Sequence, residues 1–319
     1  MGSTHPPSRA EIEHAAALLR AGELVAFPTE TVYGLGANAL DAASVARIFE
    51  AKGRPASSPI IVHVSNMEML REVVAEWPAA ARLLAQKFWP GPLTLVLKKQ
   101  SAIPALVTAG LETVGVRMPA HPVALALIEA AQIPIAAPSA NRFTQLSPTT
   151  AEHVRLGLGA RVDYILDGGP CTVGIESTVL SLADGDAVLL RPGGVSRPQI
   201  EAVIGTISQQ KNATVGAHPS PGMHPRHYSP RTKLLLVRDG EVPQEGAGAY
   251  LQLHGPPKSE VREIVAMPFD AAEYATKLYR TLHDLDSRGF DWIAVDTPDE
   301  TPEWEAVWDR VRRAAASDG

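Results

Sequence analysis

Leu24-Val25-Ala26-Phe27-Pro28-Thr29-Glu30-Thr31-Val32-Tyr33-Gly34-Leu35 joins an apolar tetrad to a run of hydroxyls and one carboxylate. Leu24 to Phe27 has the composition of a buried strand, and Pro28 ends it because proline lacks the N–H a ladder needs. Open α/β folds place ligand-binding groups at such a junction: the strand fixes the backbone and the loop exposes the side chains. Two more short polar motifs, Lys52-Gly53-Arg54-Pro55 and Ser139-Ala140-Asn141, also stand where apolar segments give way to loops. Hydroxyls, a Lys/Arg pair and a Ser/Asn pair suit phosphates and a carboxylate, and would contribute little to a hydrophobic core.

Ser8 and Glu11 read as a capping box that opens a helix, with Ile12, Ala15, Ala16 and Leu19 on one face. Asp41 caps a second helix carrying Val45, Ile48 and Phe49, which runs out at Gly53. Apolar runs at 60–64, 93–97, 114–117, 133–137, 164–166, 178–182 and 188–190 predict strands. Helices are expected at 79–88, 122–131 and 198–204. Several strands follow one another with no helix between them, so the expected fold is α/β with a mixed, twisted sheet. Residues 206–231 are rich in Ser, Gln, His, Pro and Gly and predict a linker. Beyond it, strands at 234–237, 249–253 and 292–295 and helices at 270–287 and 303–315 predict a small α/β layer. The expected division is therefore 1–205, a linker at 206–231, and 232–319.

The 319 residues are 45% hydrophobic and 20% charged, ordinary values for a globular protein with room for two domains. A formal net charge of −6 supplies no global basic field for nucleic acid. The single cysteine, Cys171, excludes an internal disulfide framework and a cysteine-based zinc site. The N-terminus shows no secretory h-region, and no run approaches the roughly 18 apolar residues of a membrane span. The expected location is the cytoplasm, with no membrane association. The chain contains no Walker A pattern, so any nucleotide site is not a P-loop.

Each motif carries two readings. Lys52 and Arg54 either grip a polyphosphate or complement a helix terminus as solvated cations. Thr29, Glu30 and Thr31 either hold a small polar substrate or satisfy a turn. Ser139 and Asn141 point the same way in an extended segment, toward a ligand or as a loop cap. Arg117, on the apolar strand at 114–118, wants an anion, either a core carboxylate or a substrate carboxylate. His63 is either a satisfied core histidine or a site residue. Glu176 and Ser177 stand just before a strand, and Arg191 ends one.

In this order and spacing, Phe27–Gly36, Lys52–Pro55, Trp89–Thr94, Arg117–Pro119, Pro138–Asn141, Gly174–Val179 and Leu190–Gly193 resemble the YrdC-type threonylcarbamoyl-AMP synthases. The resemblance is to their long form with a second, Rossmann-like C-terminal domain, and residues 10–205 look like the catalytic domain. It implies a deep concave cavity and ATP-dependent joining of L-threonine and bicarbonate, with release of pyrophosphate. A downstream threonylcarbamoyl-transferase complex would pass the product to tRNA beside the anticodon, with direct tRNA binding weak or indirect. By resemblance, Thr31, His63, Arg117, Ala137 and Ser177 hold threonine. Arg54, Ser58, Thr113, Ser139, Ser147 and Arg191 hold ATP; Ser58 stands where some relatives carry Asn. Lys52, Arg54 and Asn141 would stabilise charge as pyrophosphate leaves. Mg²⁺ is expected on the ATP phosphates and water rather than in a protein cage.

Pro221–Pro230 resembles the family's interdomain linker. Its side chains suggest a lid folded over the cavity, with His227 or Tyr228 near the nucleotide. Pro302-Glu303-Trp304-Glu305 stands where the second domain would have a Gly-rich turn. Two competing readings are a double-stranded RNA-binding module and the carbamoyl-adenylate chemistry of hydrogenase maturation. The net charge and 5% aromatic content weigh against the first, and the single cysteine excludes the zinc fingers of the second.

Overall fold

The structure is a computed structural model and describes residues 6–210 and 228–316. Its first sheet is built from β1 (Val25–Phe27), β2 (Gly34–Asn38), β3 (Val62–His63), β4 (Leu93–Lys98), β5 (Thr113–Arg117), β6 (Ile135–Ala136), β7 (Tyr164–Ile165), β8 (Thr178–Ser181), β9 (Val188–Arg191) and β10 (Ser208–Gln209). The spatial order is β10-β9-β8-β4-β5-β3-β6-β2-β1-β7. Pairs such as β3/β5 and β4/β8 are parallel, whereas β4/β5 and β3/β6 are antiparallel, which makes the sheet mixed as expected. β10 lies inside the stretch read as linker, yet it pairs with β9, with Ser208 opposite Val188. Two residues of backbone pairing sufficed there, too short a signal for periodicity to register.

Helices α1 (Arg9–Arg20), α2 (Ala42–Lys52), α3 (Met67–Val73), α4 (Ala79–Phe88), α5 (Pro122–Ala131), α6 (Ala151–Gly157) and α7 (Arg197–Ile204) accompany this sheet. The Ser8 capping box is complete: Ser8 N donates to Glu11 Oε2 at 2.8 Å, and Glu11 N donates to Ser8 Oγ at 3.3 Å. Asp41 caps α2 by accepting from the N–H groups of Ala43 and Ser44, and Gly53 ends it in the left-handed region. Ala15, Ala16 and Leu19 of α1 enter the same buried core as Leu127, Ile128 and Ala131 of α5.

The second sheet contains β11 (Lys233–Val237), β12 (Gly248–Gln252), β13 (Glu263–Ala266) and β14 (Trp292–Asp296), in the order β11-β14-β12-β13, all parallel. Helices α8 (Ala271–Asp286) and α9 (Glu305–Ala315) pack with it in a second core. Strand and helix do not alternate throughout. β11, β12 and β13 follow one another before the first helix, and β13 has the half-exposed pattern of an edge strand rather than an apolar run.

Short backbone bonds stitch the loops at the strand ends of the first sheet. Leu35 N donates to Pro138 O at 2.8 Å, Ala140 N to Tyr33 O at 2.8 Å, and Ala137 N to Ile61 O at 2.9 Å. The Thr29–Tyr33 loop, the end of β3 and the Pro138–Ala140 turn are thereby held against one another.

Candidate active site

These strand ends enclose a cavity. Thr29, Thr31 and Val32 come from the β1–β2 loop, Arg54 follows α2, and His63 ends β3. Arg117 ends β5, directly opposite His63 in the parallel pair. Ala137 and Ser139 follow β6, Glu176 and Ser177 precede β8, and Arg191 ends β9. Tyr228 closes one wall and is 1% exposed. Most of these side chains sit on the last residue of a strand or in the loop beside it, so backbone ladders fix the positions from behind.

One side of the cavity is organised by Arg117. Its Nη1 donates to Thr31 Oγ1 at 2.9 Å, and its Nε to the Gly91 carbonyl at 3.1 Å. Its Nη2 lies 2.6 Å from Glu30 Oε1, with side chains 4% and 8% exposed. Glu30 also accepts the Ala120 N–H at 3.1 Å. Arg117 therefore has a core carboxylate as partner, supplied by a residue far away in sequence. Two of the five guanidinium N–H donors are used in these hydrogen bonds, while Nη2 meets Glu30 as an ion pair outside hydrogen-bond geometry, so donors remain for a ligand. Thr29 Oγ1 donates to the Val32 carbonyl at 2.6 Å and lies 2.8 Å from Thr31 Oγ1, so these hydroxyls shape the loop as well as the cavity wall.

His63 is neutral. Burial, reinforced by the neighbouring Arg117 charge, pushes its pKa down to about 3. Its ring stands edge-on to Phe27, and its Nδ1 has no hydrogen-bond partner among the described residues. A buried ring nitrogen without a partner, on a residue that lines a polar cavity, is suited to a ligand.

A second group in the lining, Arg54 and Arg191, is cationic. Arg54 Nη2 donates to the Pro59 carbonyl at 2.9 Å, and its Nε is unpaired among the described residues. Burial lowers its pKa to about 10, with Tyr228 opposing and Arg191 adding to the shift, so it stays charged at neutral pH. Arg191 is braced on Ser177: Nη2 donates to the Ser177 carbonyl at 2.9 Å and to its Oγ at 3.3 Å. Ser177 Oγ lies 2.8 Å from Thr94 Oγ1.

Not every residue singled out from sequence reaches this cavity. Lys52 Nζ donates to the carbonyls of Ser139 and Asn141, both at 2.5 Å, and to Asn141 Oδ1 at 3.3 Å. All three ammonium donors are spent, so Lys52 braces the 139–141 turn instead of presenting its charge. Asn141 is likewise occupied: its Nδ2 donates to the carbonyls of Arg142 and Gln145. Ser147 faces Glu176, donating to its Oε1 at 2.5 Å. Ser58 is half-buried beyond Arg54, and Thr113 starts β5, two pleats from Arg117 on the same strand face. His227 lies outside the described residues, as does Pro221–Arg226.

Sequence reasoning missed Arg310. It is 0% exposed and lies 2.6 Å, Nε to Oε2, from Glu176. A signal was available: Arg310 falls at helical spacing among Ala306, Val307, Val311 and Ala314, all buried on one face of α9. A cation inside an apolar stripe needs a carboxylate. Among the described residues no group of three or more His, Cys, Asp or Glu side chains could hold a metal ion. Glu176, the carboxylate among the described lining residues, and Glu30, which pairs with Arg117, are both engaged by arginines. The residues present thus do not fit a protein-held cation.

Comparison with known proteins gives a consistent answer. The Sua5/YciO/YrdC family model, described under telomere recombination, matches residues 17–193. The model of the threonylcarbamoyl-AMP synthase C-terminal domain matches residues 195–316. The threonylcarbamoyl-AMP synthase of Pyrococcus abyssi is 42% identical over 96% of this chain and 94% of its own length. That of Bacillus subtilis is also 42% identical, over 98% and 94% respectively. The crystal structure of P. abyssi Sua5 complexed with L-threonine superposes with a TM-score of 0.90 at 41% identity, covering 98% of this chain and 96% of that one. With both family models matched and the likeness running from end to end, this chain belongs to the threonylcarbamoyl-AMP synthase family.

Proposed function

We propose that the protein joins ATP, L-threonine and bicarbonate into threonylcarbamoyl-adenylate and releases pyrophosphate. The observation that carries this reading is the chemistry of the cavity lining. A neutral histidine and Arg117 share the lining of one cavity with a pair of buried arginines, Arg54 and Arg191. The family relation and the L-threonine complex of the P. abyssi relative support the choice of substrate.

In this reading the threonine carboxylate meets Arg117, its hydroxyl and amine meet Thr31, Ser177 and the Ala137 backbone, and His63 Nδ1 accepts a hydrogen bond from the ligand without taking up its proton. The amine takes up bicarbonate with loss of water to give a carbamate. A carbamate oxygen then attacks the α-phosphorus, and pyrophosphate leaves. Arg54 and Arg191 neutralise the phosphates, and Ser139 contributes a hydroxyl. No covalent nucleophile is needed; positioning and electrostatics carry the reaction. Mg²⁺ would arrive on the nucleotide, neutralising phosphate charge there, and no protein residue is assigned to it. Lys52 and Asn141 act by holding the 139–141 turn.

The reading extends to a cytoplasmic enzyme whose product is consumed by a threonylcarbamoyl-transferase complex acting on tRNA. No helix among the described residues is long and apolar enough to cross a membrane. The net charge of −6 makes direct tRNA binding a minor matter. The test is pyrophosphate release by the purified chain, with the adenylate identified by mass spectrometry. Release should require L-threonine and bicarbonate together. Release indifferent to either would overturn the assignment.

A further inference from the structure

Helices of the second sheet reach the candidate site from behind. From α9, Arg310 places Nε 2.6 Å from Glu176 Oε2 and Nη1 2.6 Å from Asp309 Oδ2, and its Nη2 donates to the Pro192 carbonyl at 3.1 Å. Its guanidinium stands 5.0 Å from the centroid of the Tyr228 ring. From α8, the Tyr279 hydroxyl donates to Glu176 Oε2 at 3.1 Å. His283 Nε2 lies 3.1 Å from the Ser147 carbonyl, and Ser147 Oγ donates to Glu176 Oε1. Gly174 admits α8: at φ +78° it faces Thr276, and a Cβ there would stand 2.5 Å from Thr276 Cα.

Glu176 lines the cavity and precedes Ser177, on which Arg191 rests. Burial pushes its carboxyl pKa up, but Arg310, Arg191 and the Ser147 and Arg310 hydrogen bonds outweigh burial and hold it below the usual value. It is therefore an anion in a cavity read here as a phosphate site. Left bare, it would draw the nearby cations to itself and repel a nucleotide.

We propose that Arg310 is a positioning residue for ATP: by occupying the Glu176 carboxylate from the second sheet's side, it keeps the cavity receptive to phosphates. Nucleotide binding then depends on docking of the C-terminal helices, while threonine binding does not. This inference rests on the function proposed above.

Isothermal titration calorimetry separates the two. Full-length wild type, Arg310→Met, Arg310→Lys and the double variant Glu176→Gln/Arg310→Met are each titrated with ATP in magnesium buffer, and separately with L-threonine. Arg310→Met should bind ATP about tenfold more weakly or worse, a typical size for coupled sites, with L-threonine affinity far less changed. Arg310→Lys should keep part of the ATP affinity. The double variant should recover most of it, because the anion is removed together with its partner. ATP affinity unchanged in Arg310→Met overturns the proposal. So does equal loss of both ligands with no recovery in the double variant, which is the mark of a merely structural role. A wild type that binds neither ligand refutes the function reading itself, and this inference with it.

Discussion

Replacing Glu30 by glutamine tests whether the Glu30–Arg117 pair organises the threonine side of the cavity. The pair is 2.6 Å apart with both side chains under a tenth exposed, so neither charge has water to fall back on. Removing one partner of a buried pair costs about 3–5 kcal/mol, because the other is left uncompensated. The Glu30→Gln side chain keeps the shape and can still accept the Ala120 N–H, which puts the expected loss near the low end, about 3 kcal/mol. Against the roughly 5–15 kcal/mol stability of a typical fold, the variant stays folded. Urea unfolding followed by circular dichroism should show a lower midpoint at unchanged slope. Saturating L-threonine should restore more stability to Glu30→Gln than to wild type, since its carboxylate supplies the missing anion to Arg117. A midpoint equal to wild type would show that the pair does not hold the cavity. Equal stabilisation of both proteins by L-threonine would show that Arg117 is not where its carboxylate binds.

Arg54→Ala should cost about 2 kcal/mol or more of transition-state stabilisation, roughly a 30-fold loss in pyrophosphate release, with little change in melting temperature. Near-wild-type release by the folded variant would remove Arg54 from the phosphate site. Lys52→Met should show the reverse balance. Three acceptors on Ser139 and Asn141 lose their donor, so the melting temperature falls further than in Arg54→Ala, and an unaltered melt would contradict the bracing role. His63 gives a pH test. Its folded pKa of about 3 lies below the ordinary 6.5, so the unfolded chain takes up the proton first. The resulting stability is present above pH 6.5 and is lost as the pH falls from 6.5 toward 3. His63→Gln should flatten the stability profile in that window, and a wild-type slope in the variant would refute the assignment.

Much of the architecture was legible before any coordinates. The Ser8 and Asp41 caps, the strand at Val25–Phe27 and the helix at Ala271–Asp286 follow from spacing and cap chemistry, which act over a few residues. The strand at Ser208–Gln209 was not, because its two residues are exposed and lie in a polar stretch with no apolar run to mark them. Lys52 shows a different limit. Its charge and its place at a helix end matched a phosphate ligand equally well, and only the carbonyls of Ser139 and Asn141 around its ammonium distinguish the two roles.

The chain's order of motifs determined its family and the residue types that gather at the strand ends, since local pattern dictates where strands stop and polar loops begin. Tertiary structure alone decided which charges are shared within the protein and which are left for a ligand. Arg117 is matched by Glu30, and Glu176 by Arg310, 134 residues away on the last helix. Each pairing is a consequence of burial, which forces an ion to find its opposite within about 3 Å in space, whatever their separation along the chain.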